Sequence, residues 1–337
     1  LLTVLGARAS GAPSAVTAPH LRVELLAREA ALTPGRELRL GLHFVLEKGW
    51  HVYWRNPGDS GLAPSVRWSF ADSSGTVGAP LAGQISVDEL AWPVPHRLVT
   101  GPLCNYGYED EVVFLTSLHA DSALRAKTVT LTAAVNWLVC SEPCIPGEAQ
   151  LALTLPVDDR GGQPVARTQE LFATAERALP RSLPEDVKLS GTQDASAFNL
   201  RIELPDAIVA TRAHFFPWNP DEIENAGEQL ALKRGTTLAL KVPRAEQLTK
   251  PLTRLSGLLQ LQAPNQPAQT FSVEVPLPAP AVARHARPPD RPMRGRGGRS
   301  TSSTRSRRGR ADPRGCADRD QSMHRPRRSC AAGRADG

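Results

Sequence analysis

Residues 37–46 read ELRLGLHFVL, and this stretch decides the fold class. Every second residue in it is apolar, which is the period of a β-strand with one buried face. The apolar row consists of Leu38, Leu40, Leu42, Phe44 and Leu46. The stretch 50–55, WHVYWR, alternates again, and the stretch 56–61, NPGDSG, is rich in turn-forming residues. Together they predict two half-buried strands, the second of which ends in a tight turn.

Further stretches on the carboxyl side of these repeat the pattern of short strands and turns. They cover residues 66–70, 111–118, 129–139 and 150–155. Short strands separated by turn signals are typical of an immunoglobulin-like β-sandwich. We therefore predict one such domain over residues 20–158.

A change of period then separates two strand series. Apolar residues between 165 and 179 follow a helical spacing, which predicts a linker helix within residues 159–184. A second strand series follows at residues 198–204, 213–216, 236–242, 255–262 and 271–275. The fold class predicted is thus all-β, with two immunoglobulin-like β-sandwich domains joined by a short helical linker and the second sandwich over residues 185–278.

The net charge of +6 is concentrated at the carboxyl end. Residues 284–337 hold 16 Arg and five Asp, with no Lys, no Glu and no large apolar residue other than Met, so the rest of the chain is mildly acidic. Such a composition cannot bury a core, and we expect residues 279–337 to be a disordered Arg-rich tail. Its residue types are those that GC-rich codons give in a wrong frame, which suggests a frameshifted end. An arm around residues 294–299 that binds nucleic acid is the alternative; we expect no nucleic-acid partner.

The first residues resemble a secretory signal. Residues 1–6 are a short apolar run, and Ala7-Arg8-Ala9 looks like a small-residue cleavage site, so we interpret residues 1–19 as a signal-peptide remnant or entry segment. An arbitrary start of the chain is the alternative. No run of 18 apolar residues is present, so we expect no membrane span.

Cysteine spacing gives the strongest chemical signal. Of five cysteines, two lie in the tail, and Cys140 and Cys144 frame a loop turned by Pro143. An exported pair at this spacing is compatible with a reactive disulfide that exchanges with other thiols. It is also compatible with a structural disulfide contributing about 2 kcal/mol, or with a Cu(I) or zinc site, although no nearby His or Met completes a ligand set. We expect no cofactor and no bound metal.

Aromatic residues offer candidates for the surroundings of this pair. Tyr106, Tyr108 and Trp137 either close the end of the sandwich or shield the cysteines from wrong partners. Cys104 is interpreted as a buried small hydrophobe, a resolving thiol or a substitution without consequence. A further set could line a site or simply form a solvated strand face: His51, Arg55 and Asp59. Phosphate loops and the HExxH and GxSxG motifs are absent, which argues against a nucleotide enzyme or a hydrolase.

Four motifs in one order carry a family resemblance. The stretches 50–61, 92–95, 105–109 and 137–147 resemble the periplasmic N-terminal region of the DsbD family, and more closely its ScsB-type branch. Residues 215–217 and 223–226 are similar to the second β-domain of that branch, so the resemblance covers residues 20–278.

The resemblance implies a function and a place in the cell. In the family, a cysteine pair on an immunoglobulin-like domain accepts electrons from a membrane-embedded domain and reduces periplasmic partner proteins. By motif match the pair here is Cys140 and Cys144, and the expected partners are periplasmic thiol-disulfide proteins and a DsbD-type membrane-embedded electron donor. A secreted immunoglobulin-like binding protein and a periplasmic copper-handling module are the alternatives. Two departures stand out: the Arg-rich tail replaces the expected first membrane helix, and Cys104 replaces an expected aliphatic residue.

Overall fold

The computed structural model describes residues 14–72, 81, 83–206, 208 and 210–278. The Arg-rich tail and most of the entry segment therefore lie outside the described residues. Within them, the elements in the first half are β1 (Ala15–Ala18), β2 (Leu21–Ala27), β3 (Glu37–Leu46), β4 (His51–Gly58), β5 (Ser65–Asp72), β6 (Ile85–Val87), β7 (His96–Thr100), β8 (Leu103–Glu109), β9 (Glu111–Ala120), β10 (Thr128–Cys140) and β11 (Cys144–Pro156).

A 3-10 turn at Ala166–Thr168 leads into the helix α1 (Gln169–Arg177). The remaining strands are β12 (Arg181–Ser182), β13 (Lys188–Gln193), β14 (Ala197–Glu203), β15 (Arg212–Pro217), β16 (Leu230–Arg234), β17 (Thr237–Pro243), β18 (Arg254–Gln262) and β19 (Gln269–Pro276). The predicted all-β class is confirmed.

The strands of the first half form two sheets. One has the order β1-β2-β3-β9-β6, and the other has the order β11-β10-β4-β8-β7, with β5 also pairing with β10. The apolar row of β3 faces the other sheet, and Phe44 in this row is fully buried with Trp54 and Trp137 in the same cluster. This pairing of sheets through alternating residues is consistent with the predicted immunoglobulin-like sandwich.

The second half repeats the arrangement with the sheets β12-β19-β18-β15 and β13-β14-β17-β16. Its core is built from buried residues such as Phe198, Phe215 and Phe271. The helix between the halves packs onto the first of them, because Phe172 and Ala175 are buried against Val113 on the outer side of β9. We keep the proposed domain boundaries as a prediction, since residues 14–278 belong to one compact unit.

Residues 54–59 contact residues 216–225, and we call this contact the joint. The buried Asn56 amide donates to the carbonyl oxygens of Pro217 at 2.9 Å and Asn219 at 3.0 Å. Asn225 donates to the Asp59 carboxylate at 2.7 Å. The ring centroids of Trp54 and Trp218 are 4.9 Å apart, and the Arg55 guanidinium lies 4.8 Å from the Trp218 centroid. Two of the predicted site residues, Arg55 and Asp59, thus serve the joint.

His214 makes the stability of this region dependent on pH. Burial, assisted by the Arg97 cation, lowers its pKa to about 4, whereas an unfolded His titrates near 6.5. As the pH falls below 6.5 the unfolded state gains a proton that the folded state lacks, so stability present above pH 6.5 is lost towards pH 4. Between pH 7 and pH 4.5 we expect the free energy of unfolding to fall by about 2 kcal/mol more in the wild-type protein than in His214→Gln. Urea unfolding at the two pH values measures this difference. Equal losses would contradict this.

Candidate functional site

The two cysteines close a long β-hairpin. Strands β10 and β11 pair without interruption from Thr128↔Pro156 to Cys140↔Cys144. The loop Ser141–Pro143 turns back on itself, with the Ser141 N–H donating to the Pro143 carbonyl at 3.1 Å. This brings the Cα atoms of Cys140 and Cys144 to 4.2 Å, and their sulfurs form a disulfide. The short loop predicted from Pro143 therefore does fold back far enough to join the sulfurs.

The two halves of the disulfide differ in exposure. Cys140 is buried, with 1% of its surface accessible, because its strand lies between β11 and β4. Cys144 is exposed, because it begins the edge strand β11. A sulfur from another protein can therefore approach Cys144 while Cys140 stays covered.

Strand β4 supplies the neighbours of the pair. His51 lies directly opposite Cys140 in the antiparallel ladder. The hydroxyl of Tyr53, two residues further on, lies 3.6 Å from the Cys144 sulfur. His51 and Tyr53 share one face of β4 because strand side chains alternate, and their rings meet edge to face with centroids 5.1 Å apart. The alternation in residues 50–55 indicates that His51 and Tyr53 share a face, but Tyr53 is not among the site residues predicted from the sequence.

Burial sets the protonation of both rings. Burial lowers the pKa of the His51 imidazole, and the Glu109 carboxylate opposes that shift. Burial also raises the pKa of the Tyr53 phenol. At neutral pH the site thus presents a neutral phenol that can donate a hydrogen bond to sulfur and an imidazole that is free of charge.

The turn after β4 covers the Tyr53 ring. Gly61 has a φ of +101°, and a Cβ added there would lie 2.2 Å from the ring. Only glycine combines this backbone angle with such a close approach. The close approach to the Tyr53 ring explains why the 56–61 motif ends in a glycine. The next residue, Leu62, is 68% exposed.

A shallow groove of about 530 Å³ runs beside the hairpin. It is lined by Leu62, Ala63, Ser65, Asn136, Trp137, Pro146, Gly147 and Glu148. Trp137 is mostly buried beneath the hairpin, and a Cβ added at its partner Gly147 would lie 2.5 Å from the indole. Trp137 therefore borders the cysteine hairpin, while its role as a shield stays a prediction.

Tyr106 and Tyr108 occupy the sandwich core. Tyr106 packs edge to face on Trp54 and Phe216, and the Tyr108 hydroxyl donates to the Pro93 carbonyl at 2.7 Å. The ladder aligns Val52 with Tyr108 and turns both rings away from the face that carries Tyr53, which favours the alternative in which they close the sandwich; a shielding role stays a prediction. The phenol beside the sulfurs is that of Tyr53.

Cys104 is a free, fully buried thiol near the joint. Its backbone N–H donates to the Asp59 carboxylate at 2.7 Å. Burial raises the pKa of its thiol, so it is a poor nucleophile at neutral pH. These features favour the interpretation of Cys104 as a buried small hydrophobe.

The described residues offer neither a metal-binding cluster nor a membrane-spanning helix. No group of three or more His, Cys, Asp or Glu residues is arranged there to hold a metal ion. Nor does any helix among them have the length and hydropathy needed to cross a bilayer.

A disulfide with one exposed cysteine, flanked by a phenol and an imidazole on an all-β scaffold, is suited to thiol–disulfide exchange. Comparison with known proteins gives a match to one family. Residues 22–156 match the family model described as thiol:disulfide interchange protein DsbD, N-terminal. The resemblance drawn from the sequence motifs is thereby confirmed.

Solved structures support the fold over a longer stretch. The crystal structure of the N-terminal periplasmic domain of ScsB from Proteus mirabilis aligns with a TM-score of 0.56 at 18% identity, covering 78% of this chain and 97% of that one. The alignment with a conserved domain protein from Bacillus anthracis covers 79% of this chain and 90% of that one at 8% identity. Its TM-score of 0.25 is too low to indicate a shared fold. The search of curated proteins found no match.

Proposed function

We propose that this chain is a protein-disulfide reductase module of the periplasm. It passes electrons from a membrane-embedded donor of the DsbD type to thiol-disulfide proteins through reversible opening of Cys140–Cys144. The observation that carries the proposal is the unequal exposure of the two cysteines at the tip of the hairpin. The family of residues 22–156 supports exchange chemistry in general, and the periplasmic origin of the ScsB domain supports the location.

The exposed cysteine starts the exchange in this proposal. In the reduced protein the Cys144 thiolate attacks one sulfur of a partner's disulfide, and the other partner sulfur leaves as a thiolate. Cys140, as a thiolate, then attacks the Cys144 sulfur. The Cys140–Cys144 bond forms again, and the bond between Cys144 and the partner breaks. Two electrons have passed to the partner, whose two thiolates take up protons.

Tyr53 assists the first step. Its hydroxyl lies 3.6 Å from the Cys144 sulfur in the oxidised protein and can donate a hydrogen bond to the thiolate after reduction. A hydrogen bond to the charged form stabilises that form. The donor is preorganised because Tyr53 is 1% exposed and fixed between His51 and Gly61.

The reduction potential of Cys140–Cys144 tests the proposal. We expect a value above about −300 mV, because structural disulfides typically lie below this limit and labile, exchange-competent disulfides lie above it. The measurement equilibrates the protein with glutathione or dithiothreitol buffers and counts alkylated thiols by mass. A value clearly below this limit would make the disulfide structural and the chain an immunoglobulin-like binding protein.

A further inference from the structure

His51 is a half-buried ionisable group that the exchange steps above leave unused. It lies opposite Cys140 on the neighbouring strand. The Cβ atoms of directly opposed residues in an antiparallel pair are about 4.5–5.5 Å apart, so an imidazole can reach the opposing sulfur. Its Nε2 atom is buried and has no hydrogen-bond partner among the described residues. A buried nitrogen without a partner is costly and calls for an explanation.

The groups around His51 suit proton transfer. Cys140 faces it from β10, Glu109 faces it from β8, and Tyr53 faces it from its own strand. The Glu109 carboxylate favours the protonated imidazolium, while burial favours the neutral ring. The imidazole can therefore accept a proton at neutral pH and be stabilised by Glu109 once it has done so.

Cys140 needs such a proton acceptor. A thiol must lose its proton before it can attack, and a buried thiol is slow to lose it to bulk water. Cys144 has no such need, since it is exposed to solvent and lies beside the Tyr53 hydroxyl. Cys140 therefore requires a proton acceptor within the protein, whereas Cys144 does not.

We infer that His51 is the base that deprotonates Cys140 when the mixed disulfide is resolved. This inference rests on the proposed exchange at Cys140–Cys144. The Cys140 thiol gives its proton to Nε2 of His51, and the resulting thiolate attacks the Cys144 sulfur. The Cys140–Cys144 bond forms, the bond between Cys144 and the partner breaks, and the partner's sulfur leaves with the electron pair. The imidazolium then returns its proton to the leaving thiolate or to water.

The test uses 5,5′-dithiobis(2-nitrobenzoic acid) as the probe and follows thionitrobenzoate at 412 nm. The protein is the reduced full chain carrying Cys316→Ser and Cys330→Ser, so that only Cys140, Cys144 and the buried Cys104 remain as thiols. Attack by Cys144 releases the first thionitrobenzoate, and resolution by Cys140 releases the second. The two steps of the exchange are thus observed separately.

We expect His51→Phe and His51→Gln to keep the first phase within twofold and to slow the second phase at least tenfold at pH 7. The deficit shrinks towards pH 9.5, because hydroxide then removes the proton. His51→Phe preserves the ring that packs on Tyr53, while His51→Gln preserves hydrogen bonding. The matched control is His119→Gln on the exposed face of β9, which leaves both phases unchanged.

A second measurement does not depend on the probe. When Cys104→Ala and Cys144→Ser are added to the Cys316→Ser and Cys330→Ser protein, Cys140 is the only thiol left in the sequence. Its thiolate absorbance at 240 nm is expected to arise at higher pH when His51 is replaced by Gln. Wild-type resolution in both His51 variants, or a slowing of both phases by the same factor at every pH, overturns the inference. If the unsubstituted protein itself releases no second thionitrobenzoate, the proposed function fails, and the role of His51 fails with it.

Discussion

Cys140→Ser is expected to accumulate a covalent mixed disulfide with an oxidised partner, whereas Cys144→Ser is expected to form none. The reason is the unequal exposure of the two positions: Cys144 is exposed and Cys140 has 1% of its surface accessible. Without Cys140 the first attack still occurs, but no thiol is placed to resolve the product. The measurement mixes each reduced variant with a disulfide-bonded thioredoxin-like protein and separates the products on a non-reducing gel. Resolution by the wild-type protein should leave almost no adduct.

Cys104→Ala is the matched control for this experiment. It removes a thiol of the same chain that is fully buried and unpaired, so the unsubstituted pair should exchange as in the wild-type protein. If Cys140→Ser forms no adduct while Cys144→Ser does, the order of attack is the reverse of the one proposed. If neither variant forms an adduct, the disulfide does not exchange with protein partners.

The strands could be predicted where one face meets the core and the other meets solvent. Strand β3 has the bounds expected from its alternation, Glu37–Leu46. The strand β8, in contrast, was not predicted, because residues 104–108 are buried on both faces and show no alternation. β11 begins at Cys144, six residues before the predicted start, since Pro146 and Gly147 look like turn residues although they pair with β10. Local signals thus fail where pairing with a neighbour decides the structure.

The cysteine pair could be predicted from spacing and motif, but its surroundings could not. Which tyrosine lies beside the sulfurs depends on the register between β4 and β8, which aligns Tyr53 with Gly107. A shift of one residue would exchange the faces, and the β8 residues 104–108, buried on both faces, show no alternation from which that register could be derived. The joint could not be predicted either, because it brings together stretches that are more than 150 residues apart in the chain.

The stretch 50–59 divides its residues between two tasks. His51 and Tyr53 project towards the cysteine pair, while Trp54, Asn56 and Asp59 contact the second half of the chain. This motif therefore contains two sets of residues, one beside the cysteine pair and one in the joint. Substitutions in it should separate into those that alter exchange and those that alter stability.

Asn56→Ala is expected to lower the free energy of unfolding by about 3 kcal/mol or more. Asn56 is 1% exposed, and its amide donates to the carbonyls of Pro217 and Asn219. Its side-chain oxygen accepts the Gly58 N–H at 3.1 Å. Alanine would leave these backbone groups without their partner, and each buried polar group left unsatisfied costs about 1–3 kcal/mol. Urea unfolding followed by tryptophan fluorescence measures the loss, since Trp54 and Trp218 lie in the joint.

Asn199→Ala is the matched control, because within the described part of the chain the Asn199 amide donates to the exposed Asp194 carboxylate alone, and water can replace it. Its expected cost is below about 0.5 kcal/mol. The cysteine pair lies away from Asn56, so folded Asn56→Ala should release both equivalents of thionitrobenzoate at wild-type rates. A loss below about 1 kcal/mol for Asn56→Ala would mean that water reaches the joint and satisfies these carbonyls, and that packing between Trp54, Phe216 and Trp218 holds it instead.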